Sequence, residues 1–146
     1  EIYSSDDGIN WTSRSSGSSS SLKGIDYGNS TFVVVGDSGT ILTSSNGTSW
    51  DNRTSGISNS LNGITYGSSL FVAVGSSGSI ITSSNNGTSW DNRTSGTTNN
   101  LHGVNYGNST YIAVGDSGTI LTSSDGISWT SQTSGTSETL YAVTSN

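Results

Sequence analysis

An all-β fold of tandem four-stranded antiparallel sheets is what this sequence predicts, and three observations carry the reading. The four tryptophans, Trp11, Trp50, Trp90 and Trp129, all follow a Ser-Ser, Asp/Asn and Gly signal in one phase of a repeat. Short β-branched and aromatic runs at residues 32–35, 71–74 and 111–114 recur between Gly-rich turns. The repeating units, residues 22–60, 61–100 and 101–139, are 39, 40 and 39 residues long. Four short antiparallel strands in about 40 residues is the size of one propeller blade.

Taken in order, residues 1–21 read as a partial blade that opens within a strand at residues 1–4 and runs into the first Trp motif. Residues 22–60, 61–100 and 101–139 read as whole blades, and residues 140–146 as the start of a further one. In the middle unit the strand candidates are 61–66, 70–75, 79–83 and 88–94, separated by turns at 67–69, at 76–78 and at the Trp motif. The first two strands are the most apolar and suit the channel and the blade-to-blade contacts. The fourth, Trp-Asp-Asn-Arg-Thr-Ser, is polar and suits the outer rim. A parallel β-solenoid with two coils per repeat is the structural alternative. The chain contains no methionine, and its repeat arithmetic leaves one strand too few to close a four-bladed ring. Both lead to the expectation of a segment of a larger propeller, with head-to-tail self-assembly as second choice.

The Trp motif has a local cause. Asp or Asn before Gly, between two apolar runs, encodes a hairpin, because the short polar side chain bonds nearby N–H groups and Gly accepts positive φ. The Trp ring that follows buries roughly 150–250 Å², worth about 4–6 kcal/mol before entropy is subtracted. These residues resemble the Asp-box, or bacterial neuraminidase repeat, a hairpin found in sialidase-type and photosystem II assembly-factor-like propellers. The resemblance places Ser4, Asp6, Gly8 and Trp11 in the first box. Asn46, Gly47 and Trp50 fall in the second, Asn85, Gly87 and Trp90 in the third, and Asp125, Gly126 and Trp129 in the fourth. By this spacing the copies at Ser44 and Ser123 are one residue shorter than the other two. In that family the box is structural, so the resemblance implies an antiparallel propeller and no chemistry.

A chain that is 28% hydrophobic and 10% charged would ordinarily suggest disorder, but the fixed phase of the apolar residues argues for a packed fold. Without cysteine there is neither a disulfide framework nor a thiolate metal site. A net charge of −6 with four basic residues speaks against nucleic acid. No apolar run approaches the roughly 20 residues of a membrane span. Arg14, Arg53 and Arg93 are tempting as a sialidase triad, yet all three follow a box Trp by three residues and belong to the outer strands of successive units. The Gly-Asp-Ser-Gly at residues 36–39 and 115–118 reads as a turn, because the chain's single histidine cannot serve two triads. No enzyme activity, cofactor or metal is expected.

Variation among the copies points to one candidate surface. The second position of each unit holds Lys23, Asn62, His102 and Tyr141, while the turn between the second and third strands holds Asp37, Ser76 and Asp116. In a four-stranded blade that turn and the loop entering the next blade share a face, so these positions cluster. Lys23, Asn62, His102, Tyr141, Asp37 and Asp116 are therefore the candidate ligand-binding residues. The expected role is a non-enzymatic structural or interaction module of a secreted, cell-surface or virion protein, located extracellularly or on a surface. Its expected partners are other copies of itself or the rest of a longer chain. A lectin-like propeller that binds glycans is the alternative.

Overall fold

The computed structural model describes residues 1–145; the expected blade start at residues 140–146 includes Asn146, which lies outside the described residues. Fourteen strands form one two-stranded and three four-stranded sheets, every pairing antiparallel. The first sheet joins β1 (Ile2–Ser4) to β2 (Thr12–Arg14). Blade 1 follows as β3 (Leu22–Gly28), β4 (Thr31–Gly36), β5 (Ile41–Ser44) and β6 (Asp51–Arg53). Blade 2 comprises β7 (Leu61–Gly67), β8 (Leu70–Gly75), β9 (Ile80–Ser83) and β10 (Asp91–Arg93). Blade 3 comprises β11 (Leu101–Gly107), β12 (Thr110–Gly115), β13 (Ile120–Ser123) and β14 (Thr130–Gln132). Antiparallel ladders throughout exclude the solenoid.

Each blade is a meander because its turns are written locally. The first two strands join through a two-residue turn in which both residues are left-handed, such as Ser68 (φ 46) and Ser69 (φ 63), the conformation that follows the strands' own twist. A one-turn 3-10 segment, Asp37–Gly39 in blade 1, links the second and third strands. The fourth strand is shorter than the sequence suggests, Asp91–Arg93 against residues 88–94, because the Trp turn takes up the residues before it.

Blades pack face to face around alternating residues of the central strands. Val33, Val35 and Ile41 of blade 1 meet Leu61, Phe71, Ala73 and Ile81 of blade 2, and Trp90 lies against this cluster. Val72, Val74 and Ile80 of blade 2 meet Leu101, Tyr111, Ala113 and Leu121 of blade 3, with Trp129 alongside. A smaller cluster joins Ile2 to Val34, Leu42 and Trp50. Each of these three tryptophans therefore staples its blade to the one before it, whereas Trp11 is 62% exposed and staples nothing.

Two glycines in each inner strand set how closely blades approach. A Cβ on Gly28 would overlap the Tyr66 ring, and one on Gly67 would overlap the Tyr106 ring. Residues 140–145 lie beside β11 in the same way, with the Tyr141 carbonyl 2.8 Å from where a Gly103 Cβ would stand. They form no strand ladder there, so the expected first strand of a further blade is present as a position and not as a paired strand.

Candidate functional site

The variable positions share a backbone device. In β3 the ladder runs Leu22↔Gly36 and then Gly24↔Val35, so Lys23 is an extra residue with no partner. The same bulge leaves Asn62 unpaired between Leu61 and Gly63, and His102 between Leu101 and Gly103. A bulge re-aims the side chain it carries. Here Lys23 and His102 face the acids of the 3-10 turns, and the turns are tied to the incoming loops by Asp37 N–H to Ser21 O, Ser76 N–H to Ser60 O and Asp116 N–H to Asn100 O, each 2.9 Å.

All six candidate residues lie on this rim, in two groups that follow one another around it, five joined by polar contacts and Tyr141 by a ring contact. In the first, Lys23 Nζ sits 2.6 Å from Asp37 Oδ1 and donates to Asn62 Oδ1 at 3.2 Å. Asn62 Nδ2 then donates to the Leu101 carbonyl at 2.9 Å, crossing to blade 3. In the second, His102 Nε2 is 2.7 Å from Asp116 Oδ1, and Asn100 Nδ2 donates to Asp116 Oδ2 at 2.9 Å. The Tyr141 ring lies 5.1 Å from the His102 ring. Asn100 also accepts the Ser77 N–H at 3.0 Å, tying the turn of blade 2 to this group.

Electrostatics follows the geometry. Lys23, then the Ser60 hydroxyl, holds the Asp37 carboxyl below its usual range. His102 does the same for Asp116, against a partial desolvation and with help from Asn100. The carboxylates thus act as acceptors for side chains. A cation, an amide, an imidazole and a phenol arrayed along one rim suit hydrogen-bonded recognition of a polar chain.

The Trp turns build a different feature. Ser44 Oγ accepts from Gly47 N–H at 2.8 Å, while Asn46 Oδ1 accepts from Thr48 and Ser49 N–H at 2.9 and 3.0 Å. Ser123 and Asp125 repeat this, and the two N–H donors from Ile127 and Ser128 hold the Asp125 carboxyl low. In the first turn the same bonds come from Ser5 and Asp7. This corrects the sequence reading, which placed Ser4 and Asp6 in those roles. Ser4 instead accepts from Arg14 Nε at 2.8 Å, matching Thr43 with Arg53 and Thr82 with Arg93. Three turns therefore have one length, and the turn at Ser83 is the odd one. It is longer by Asn86, whose φ of 59° absorbs the insertion. Side-chain register, invisible in a Ser-Ser-Asp-Asp string, is what the sequence reading lacked.

The arginines stay on separate outer strands, where Arg53 and Arg93 pair with Asp51 and Asp91 of their own strands at 3.1 Å. The bulge and the paired glycines were also missed; the Leu-x-Gly-x-x-Tyr-Gly spacing of β3, β7 and β11 was their available signal.

No family model and no curated protein matches the sequence. Solved structures do match. YCF48 from Cyanidioschyzon merolae is similar at a TM-score of 0.64, with 20% identity over 77% of this chain and 37% of that one. A structure of YCF48 bound to D1 peptide is similar at 0.65, with 18% identity over 86% of this chain and 44% of that one. The chain thus spans less than half the length of either. At these identities the likeness establishes the fold, a run of β-propeller blades.

Proposed function

We propose that this chain is a non-enzymatic interaction module whose binding surface is the rim row of Lys23, Asn62, His102 and Tyr141. The observation that carries the reading is the bulge: in each of three blades it lifts out of the ladder the residue whose identity changes from copy to copy. The partner is an extended protein segment laid along the rim; that one of the similar structures is bound to a peptide supports a protein partner. The Trp turns belong, in our reading, to the Asp-box type, with Ser and Asp/Asn satisfying the turn's N–H groups. The blades serve as a rigid platform on a secreted or surface-exposed protein.

Tyr141, 71% exposed beside His102, favours a second reading in which the row holds a sugar ring. One experiment separates the two. The chain is immobilised, selected against a random-peptide library and screened on a glycan array, alongside Asn62→Ala, His102→Ala and Tyr141→Ala variants with unchanged circular dichroism. Peptide binding lost in the variants supports the proposal; glycan binding lost in them supports the second reading. A row that can be erased without affecting any binding contradicts both.

A further inference from the structure

The 3-10 turn of each blade puts a serine where its backbone is strained and its side chain is idle. Ser38, Ser77 and Ser117 all have φ 55, in the left-handed region that glycine enters freely and residues with a Cβ enter against steric resistance. The fold uses glycine at the very next place: Gly39, Gly78 and Gly118 are left-handed and buried, and a Cβ there would overlap the carbonyls of Ile57, Thr97 and Thr136. No such packing demands the serines, which are exposed in all three blades. The turn also closes without them, since in blade 1 Thr40 N–H donates to Asp37 O at 3.1 Å and Gly36 N–H to Thr40 O at 3.0 Å. Among the described residues the three serine hydroxyls have no hydrogen-bond partner. Backbone strain that the fold does not require is characteristic of binding sites. The place of the serines is the rim. Ser38 and Ser117 directly follow Asp37 and Asp116, which meet Lys23 and His102. Ser77 N–H donates at 3.0 Å to Asn100, whose amide holds Asp116. Ser38 and Ser117 also stand at the lips of equivalent grooves, walled by Thr54 and Ile57 in blade 1 and by Thr133 and Thr136 in blade 3.

We propose that Ser38, Ser77 and Ser117 are main-chain clamps: their hydroxyls hydrogen-bond the backbone amides of the extended segment, one blade apart, while Lys23, Asn62, His102 and Tyr141 read its side chains. The assignment rests on the segment-binding reading of the rim. A contrast within the repeat carries it. The row changes residue from copy to copy, whereas the turn serine is the same in every blade, as contacts to a backbone common to all sequences require. A hydroxyl both donates and accepts, so one residue type serves N–H and C=O groups alike. The left-handed Ser30, Ser69 and Ser109 belong to the two-residue turns at the opposite end of the blades. There the twist of the paired strands itself calls for left-handed residues, which makes those serines an internal control.

The test takes two peptides of unrelated sequence, selected from a random library against the whole chain, and titrates each by fluorescence anisotropy. Ser77→Ala, which keeps the strained backbone and loses only the hydroxyl, should weaken both by about fivefold, and replacing all three serines by alanine should weaken them further. Asn62→Ala should weaken the two peptides unequally. Ser77→Gly should weaken binding as Ser77→Ala does while raising the urea midpoint, a pairing that a serine kept for folding does not give. Ser69→Gly should leave affinity unchanged. Unaltered affinity in Ser77→Ala and in the triple variant, with binding still lost in Asn62→Ala, overturns the clamp and leaves the row standing. A lower urea midpoint for Ser77→Gly overturns it too, because the serine is then structural. Failure to select any peptide overturns row and clamp together.

Discussion

Asp125 accepts two backbone N–H groups and the Ser123 hydroxyl in its turn, while Asp6 makes none of the corresponding bonds in the first turn. Asp125→Ala should therefore lower the urea midpoint, and Asp6→Ala should leave it unchanged. The carboxyls of Asp37, Asp116 and Asp125 are all held below their ordinary value of 3.8. A carboxyl with a depressed folded pKa contributes stability above its unfolded value and loses it as pH falls through the folded one. The melting temperature should accordingly drop below about pH 4. Asp125→Asn, which keeps the acceptor oxygen as Asn46 does, should make that drop shallower. Tyr111 behaves oppositely. Burial first, then Tyr106 and Tyr66, pushes its hydroxyl up to about 12, so its contribution disappears as pH rises from 10 toward that value. Its hydroxyl donates to the Gly67 carbonyl, while Phe71 fills the equivalent place in blade 2 without one. Tyr111→Phe should cost about 1 kcal/mol in denaturant unfolding.

At the scale of the strand and turn, two residues of one type have different duties. Gly24 leaves a Cβ a tight fit that a small shift of the Val35 side chain, 3.3 Å away, relieves, but Gly28 is covered by the Tyr66 ring. Gly28→Ala should cost about 1–3 kcal/mol through overpacking, and Gly24→Ala less than about 1. The tryptophans divide similarly. Trp90→Ala removes a ring from the cluster between blades 1 and 2 and should cost about 3 kcal/mol or more. Trp11→Ala, at a ring facing solvent, should change stability by less than about 0.5 kcal/mol. Strand positions were legible in the sequence because apolar alternation and Gly-rich turns are local signals. The bulges at Lys23, Asn62 and His102 were not read, because the Leu-x-Gly spacing that accompanies them marks a close approach or a turn as readily as an extra residue. The rim cluster was reached by another route, from variation among copies, which located the residues without their backbone cause.

For the molecule as a whole, stability lies between blades more than within them, because a sheet this small buries its faces only against a neighbour. The repeat could be read from the sequence, as could the antiparallel order, since each hairpin is encoded by its own turn. How closely the inner strands approach could not, because the distance depends on which side chain of one blade lies over which glycine of another. That approach is the centre of the account, and proton NMR of the chain measures it directly. The α-protons of Gly28 and Gly67 should be displaced upfield by the rings of Tyr66 and Tyr106, with nuclear Overhauser effects to those rings. Glycine shifts of an unstructured chain at both positions, without ring contacts, would contradict it.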